Sequence, residues 1–134
     1  MIVDTSALIA ILKEEPEAAR FIELIDSALH CRISAANYVE TAVVVDGNRD
    51  PIMSRRLDTF LQEAGVEIRP VTVEQARLAR EAYRDYGKGS GHPARLNFGD
   101  CFAYALARDT GEPLLFKGDD FRHTEVTPAS SKIT

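Results

Sequence analysis

The sequence predicts an α/β domain, a three-layer α/β/α sandwich with a central parallel sheet of four or five strands. Short apolar segments of strand-like composition occur at residues 2–3, 31–33, 66–68 and 113–116. One or two segments of helical periodicity separate each from the next, and parallel neighbouring strands require such crossover connections. The length of 134 residues favours a single domain spanning residues 1–134.

Composition and charge narrow the class of protein. The formal net charge is −5, which argues against a protein that coats nucleic acid by positive charge alone. Cys31 and Cys101 lie far apart with no CxxC spacing, so we expect neither a zinc site nor a disulfide framework. The apolar run at residues 7–12 is too short to span a membrane, and no basic leader precedes it. We expect a soluble, cytoplasmic protein that does not associate with membranes.

The chain opens with a strand followed at once by a helix. Ile2 and Val3 form the strand, and Asp4 can cap a helix that begins near Ala7. Pro16 then begins an amphipathic helix whose apolar residues recur every three or four positions.

Two further helices follow the second strand. Ser34 can cap a helix that carries Glu40, directly after the strand at residues 31–33. Asp50, with a proline behind it, begins the next helix, and Gly65 ends it.

The second half of the chain repeats the alternation. A strand at residues 66–68 precedes a helix for which Thr72 and Gln75 form a capping box. The stretch "YGKGSGHPARLN" breaks all periodicity, and a helix then begins at Asn97 or Gly99. The strand at residues 113–116 follows, then "KGDDF" and a last β-like fragment at residues 125–127.

Acidic residues occur where the predicted strands end. Asp4 follows the first strand, Asp119 and Asp120 follow the last, and Asp100 lies at the start of the helix before it. Glu40 joins them if the first turns of its helix lie at the same edge of the sheet. In an open parallel sheet the ligand site lies beyond the carboxyl ends of the strands, so we expect four or five carboxylates to converge there.

Converging carboxylates imply a metal site, because their mutual repulsion is relieved by protonation or by a bound cation. An all-oxygen set of ligands suits Mg²⁺ or Mn²⁺, with Asp4 and Asp100 as the principal metal ligands. Such ions activate water and stabilise the oxygens of a phosphoryl displacement. The pattern therefore predicts phosphodiester cleavage.

Taken singly, each acid has an ordinary structural explanation. Asp4 and Asp100 suit the first turn of a helix, Glu40 suits an exposed helix face, and Asp119 and Asp120 suit a turn. Capping alone, however, does not require all of them to lie at one edge of the sheet.

Four stretches, in this order and at these separations, carry a resemblance to a known family: "MIVDTSALIAIL", "SAANYVETA", "LNFGDCFAYALA" and "PLLFKGDDF". Together they resemble a PIN domain, and more closely a VapC-type toxin of a bacterial toxin–antitoxin pair. The resemblance covers nearly the whole chain. It implies a metal-dependent ribonuclease that a VapB-type antitoxin inhibits and that forms a homodimer or a toxin–antitoxin hetero-oligomer.

The resemblance also implies roles for individual residues. Asp4 matches the first acid of the family, Glu40 the second and Asp100 the third, while Ser6 matches the small hydroxyl residue that supports the first. Either Asp119 or Asp120 can be the fourth. We favour Asp119 slightly, because Asp120 is then free to cap the turn that starts at residue 121.

The loop rich in glycine and basic residues has two further interpretations. A phosphate-binding loop would follow a strand and open a helix, whereas this stretch follows a helix, so a nucleotide-binding domain is disfavoured. Arg84, Lys88, His92 and Arg95 instead form a local positive cluster suited to guiding an RNA backbone, unless the loop is simply solvated.

Two other functions compete with RNA cleavage. A catalytically silent PIN-like interaction module keeps the fold, but all the acids needed for a metal are present. A magnesium-dependent phosphatase would need Asp-x-Asp after the first strand, where this chain has Ser6 two residues beyond Asp4.

Overall fold

The computed structural model describes residues 1–130, within which four parallel strands form one sheet in the order β3-β2-β1-β4. The strands are β1 Ile2–Val3, β2 Cys31–Ser34, β3 Val66–Arg69 and β4 Leu114–Leu115. The helices are α1 Thr5–Leu12, α2 Ala18–Ser27, α3 Ala35–Gly47, α4 Pro51–Ala64, α5 Val73–Tyr86 and α6 Phe98–Thr110, and a 3-10 turn covers Asp120–His123.

Helices cover both faces of the sheet, which confirms the predicted three-layer α/β/α sandwich. Successive residues of a strand point to opposite faces. Ile2 and Leu114 therefore pack in one core with α5 and α6, while Val3 and Leu115 pack in the other with α1, α2 and α4. All four side chains are completely buried.

The order of the strands reverses next to β1. Strand β2 follows β1 on one side, whereas β4, the last strand along the chain, pairs with β1 on the other. This reversal makes the carboxyl ends of β1 and β4 the expected position of a site. Asp4 follows β1 directly, and the segment 117–120 begins two residues after β4 ends.

Side-chain caps explain most helix beginnings. Asp4, Ser34, Asp50, Thr72 and Asn97 each accept a hydrogen bond from a backbone N–H in the following turn. Helix α1 begins at Thr5, two residues before the predicted start, because Asp4 is the N-cap residue and the helix follows it directly.

The capping box predicted for α5 forms only in part. Thr72 accepts from the Gln75 N–H, but the Gln75 side chain donates to Asp109 Oδ2 at 3.1 Å instead of returning to Thr72. The packing of α5 against α6 brings that carboxylate within reach, and a contact distant in the sequence replaces the local one.

The last β-like segment lies later than residues 125–127. Leu114 N–H donates to the Thr127 carbonyl at 2.9 Å, and Ala129 N–H donates to the Leu114 carbonyl at 2.8 Å. Glu125 is occupied elsewhere, since its carboxylate accepts from the Tyr86 and Tyr104 hydroxyls. Within residues 1–130 no helix is long and apolar enough to cross a membrane.

Candidate active site

Asp4 is a buried carboxylate at the carboxyl end of the central strand. Only 1% of the residue is exposed. Its Oδ2 accepts from Ser6 N–H at 3.0 Å and from Ser6 Oγ at 2.6 Å, whereas Oδ1 is buried and accepts no hydrogen bond from the residues that the structure describes. Burial raises the pKa of Asp4 to about 6, against the lowering effect of Ser6. Capping α1 therefore uses one oxygen and leaves the other for a ligand.

Ser6 connects this carboxylate to the chain beyond β4. Its hydroxyl donates to Asp4 and accepts from Lys117 N–H at 3.0 Å. The expected supporting role of Ser6 thus has a second part, because the same oxygen anchors the segment that carries Asp119 and Asp120.

Glu40, in the second turn of α3, faces the first turn of α6. Its Oε1 accepts from Thr5 Oγ1 at 2.5 Å and from Asn37 Nδ2 at 3.2 Å. The carboxylate lies so close to Gly99 that a methyl group at that position would overlap it. The close approach places Glu40 beside the first turn of α6, which carries Asp100.

Asp100 combines a structural and an electrostatic role. It forms a capping box with Asn97, whose side chain accepts from the Asp100 N–H at 2.8 Å while Asp100 Oδ2 accepts from the Asn97 N–H at 3.0 Å. Burial, followed by the negative charge of Asp4, raises the pKa of Asp100 to about 7, and the charges of Asp120 and Glu40 add to the rise. Four carboxylates therefore interact at this edge.

The two candidates for the fourth acid differ in position. The Asp119 side chain is 84% exposed and pairs with Arg122 Nε at 3.3 Å. Asp120, by contrast, is close enough to raise the pKa of Asp100. The expectation that Asp120 caps the turn is wrong, because Asp119 occupies the N-cap position and Asp120 is the first residue inside the turn. Gly118, with φ of +100°, redirects the chain just before them.

The basic residues of the predicted RNA-contacting cluster lie on or beside the loop that leads into α6. Lys88 and Arg95 are exposed, and His92 is half-buried. Arg84 lies in the last turn of α5, where its Nε donates to Asp85 at 2.9 Å. Lys88, His92 and Arg95 therefore lie on the loop that precedes α6, the helix that carries Asp100.

The donors at this edge suit a hard cation, although residues 1–130 include no group of three acidic, histidine or cysteine side chains arranged to hold one. The clearest sign is Asp4 Oδ1, which has no partner in the described part of the chain, since leaving a buried carboxylate oxygen unpaired costs free energy. Burial and, after it, the neighbouring acids raise the pKa of Asp4 and Asp100, and a bound cation would favour their ionised forms. Carboxylate oxygens are the ligands that Mg²⁺ and Mn²⁺ prefer.

Comparison with models of protein families matches residues 1–126 to the PIN domain. The chain belongs to the PIN domain family. A curated relative, ribonuclease VapC28 of Mycobacterium tuberculosis, is 57% identical to this PIN domain over 129 residues, which are 96% of this chain and 97% of the relative. The resemblance to VapC-type PIN domains predicted from the four sequence motifs is therefore confirmed.

Solved structures agree on the fold of this PIN domain. VapC20 of Mycobacterium tuberculosis, described as a toxin that cleaves the sarcin-ricin loop, superposes with a TM-score of 0.71 at 20% identity, covering 95% of this chain and 98% of that one. A toxin–antitoxin complex from Klebsiella pneumoniae contains a chain with a TM-score of 0.72 at 18% identity, covering 96% and 97%.

The sequence did not identify three residues beside the acids of this PIN domain as site residues: Thr5, Asn37 and Gly99. Only Asn37 carried a usable signal, because it precedes Glu40 by three positions and so lies on the same face of a helix. The proximity of Gly99 to Glu40 depends on how α3 packs against α6 and has no local signature.

Proposed function

We propose that this PIN domain is the ribonuclease toxin of a toxin–antitoxin pair and hydrolyses RNA phosphodiester bonds with Mg²⁺ or Mn²⁺ held by Asp4 and Asp100. The observation that carries the proposal is the buried Asp4 Oδ1, which has no partner within residues 1–130, beside an Asp100 carboxyl whose pKa burial and the neighbouring acids raise. The VapC relatives, named as ribonucleases, support the same activity.

The residues of this chain prepare the site before substrate arrives. Ser6 holds Asp4 in one orientation, and Thr5 with Asn37 holds Glu40. A bound divalent cation would supply the charge that activates water and stabilises the oxygens of the displaced phosphate. We assign the fourth acid to Asp120 because its charge reaches Asp100, whereas Asp119 pairs with Arg122 in solvent.

The substrate approaches along the basic loop in this proposal. Lys88, His92 and Arg95 would contact phosphate oxygens of the RNA, since the remainder of the protein is acidic and gives no general attraction. The loop continues into α6, so a backbone bound there is delivered to Asp100.

A VapB-type antitoxin is the expected inhibitor. An arginine from such a partner would pair with the carboxylates that otherwise hold the cation, because a guanidinium group binds carboxylates through two parallel hydrogen bonds. The fold shared with a chain of a toxin–antitoxin complex supports this partner. The toxin would act in the cytoplasm as a homodimer or within a hetero-oligomer with its antitoxin.

Cleavage of structured RNA by the purified protein tests this proposal. We expect cleavage with Mg²⁺ or Mn²⁺, none with EDTA, and little with the Asp100→Asn variant. Asp26→Asn, an exposed position on α2, is the matched control and should cleave like the parent. Equal rates for Asp100→Asn and the parent would contradict the assignment, and an inactive parent would favour the silent interaction module.

A further inference from the structure

Asn37 is a fully buried amide that bridges two helices at the active site. None of the residue is exposed. Its Nδ2 donates to the Gly99 carbonyl at 2.9 Å in α6 and to Glu40 Oε1 at 3.2 Å in its own helix, α3. Both partners are acceptors, so the orientation of the amide group follows from the contacts. A single side chain thus joins the carboxylate of Glu40 to the backbone beside Asp100.

Gly99 supplies the space that this arrangement needs. A methyl group at position 99 would overlap the Glu40 carboxylate, and the residue next in the chain is Asp100. The backbone of α6 therefore runs directly against Glu40. Any movement of α3 relative to the first turn of α6 would change the separation of the two acids.

We propose that Asn37 is a positioning residue, which fixes the Glu40 carboxylate relative to Asp100 by tying α3 to the first turn of α6 in the space left by Gly99. The inference rests on the proposed metal-dependent function and deepens it. The Asn37 amide donates only to protein groups among the described residues, Glu40 and the Gly99 carbonyl. It acts through Glu40 and through the α6 backbone.

Repulsion between the acids is the reason such a link is needed. The Glu40 carboxylate lies against the backbone next to Asp100, and carboxylates of like charge so placed repel each other. Without Asn37, the Thr5 hydroxyl would be the remaining side-chain donor to Glu40 among the described residues. Removing groups that orient metal ligands lowers metal affinity by about 10- to 100-fold in other sites.

The test compares Asn37→Ala and Asn37→Ser with Gln75→Ala. Gln75 is a matched control because it is also buried, at 5% exposure, and its side-chain amide also ties a helix to α6, through Asp109 far along that helix from Asp100. Affinity for Mg²⁺ and Mn²⁺ is measured by titration calorimetry, stability by thermal unfolding, and cleavage as a function of Mg²⁺ concentration.

We expect both Asn37 variants to bind the cations about 10-fold more weakly or worse, and their cleavage to recover in part at high Mg²⁺. Gln75→Ala should lose thermal stability but keep the cation affinity of the parent. Gly99→Ala, which leaves Asn37 in place and displaces Glu40, should weaken cation binding in the same way.

The outcomes separate this inference from the proposed function. A parent protein that binds neither cation would overturn the metal site itself. A parent that binds cations, together with a folded Asn37→Ser variant of equal affinity, would overturn only the positioning role. Loss of folding in both Asn37 variants, or equal effects of Asn37→Ser and Gln75→Ala on cation affinity, would make Asn37 a structural residue and also overturn the inference.

Discussion

Asp4 and Asp100 are electrostatically linked across the end of the sheet. Burial is the main cause that raises the pKa of Asp100 to about 7, and the negative charge of Asp4 is the next. Burial also raises the pKa of Asp4, to about 6. The negative charge of Asp4 therefore disfavours ionisation of Asp100. A proton or a cation bound at one carboxylate therefore changes how readily the other carboxylate binds a proton.

Cation binding should therefore release protons below about pH 7. Both carboxyls are partly protonated there, and a cation competes with those protons. We expect the affinity for Mg²⁺ to fall as the pH is lowered from about 8 to about 6. Calorimetry in two buffers of different ionisation enthalpy measures the protons released, and identical heats in both buffers near pH 6 would contradict the linkage.

Removing the Asp100 charge should stabilise the cation-free protein at alkaline pH. A carboxyl whose pKa is raised on folding favours the folded state below its unfolded pKa of 3.8, and this contribution is lost as the pH rises from there through about 7. Asp100→Asn keeps an oxygen that can accept from the Asn97 N–H, so the capping box can persist. We expect its thermal midpoint in EDTA to exceed that of the parent near pH 8.

The control for this effect is the same variant below about pH 3.8, where Asp100 is protonated in both the folded and the unfolded parent and the midpoints should converge. A lower midpoint for Asp100→Asn at both pH values would instead show that capping, and not charge repulsion, dominates at this position.

The fourth acid can be identified by comparing Asp120→Asn with Asp119→Asn. The first variant should raise the Mg²⁺ concentration needed for half-maximal cleavage, because Asp120 acts on Asp100. Asp119→Asn loses an exposed ion pair with Arg122, which contributes less than about 1 kcal/mol, and should cleave normally. If Asp119→Asn raised the Mg²⁺ requirement and Asp120→Asn did not, Asp119 would be the fourth acid.

Ser6→Ala should weaken both the fold and the site. It removes a donor to Asp4 and an acceptor for Lys117 N–H, so we expect a loss of about 1–3 kcal/mol in the free energy of unfolding, with reduced cation affinity. Ser27→Ala is the matched control, since that exposed hydroxyl donates to the Leu24 carbonyl in the same helix. Equal effects of the two variants on stability and on cation affinity would contradict a role for Ser6 in the site.

Lys88→Gln and Arg95→Gln should raise the KM for RNA and leave kcat nearly unchanged. Each removes a positive charge from the loop without touching the acids, and the salt dependence of KM should become shallower. Arg55→Gln, exposed on α4, is the control that should behave like the parent. A fall in kcat at constant KM would place these residues in catalysis and not in substrate binding.

Much of the architecture could be predicted because its signals are local. Strand residues such as Ile2 and Val3 are apolar and followed at once by a capping acid, and Asp50 before a proline begins α4 as expected. Parallel strands need crossovers, so alternating elements already implied a covered parallel sheet. The position of Asp4 at the carboxyl end of β1 followed from the same reasoning.

Only the tertiary structure decided which acids meet. Asp119 and Asp120 are adjacent in the sequence and chemically identical, so local propensity favoured the wrong cap, and the turn at Gly118 determines which one approaches Asp100. Gln75 likewise bonds Asp109 and not its local partner. Side-chain periodicity reports which face of an element is buried, whereas contacts between elements depend on how α3, α5 and α6 pack. The chain by itself therefore determined the layers and the edge where the acids lie, and packing determined the partner of each acid.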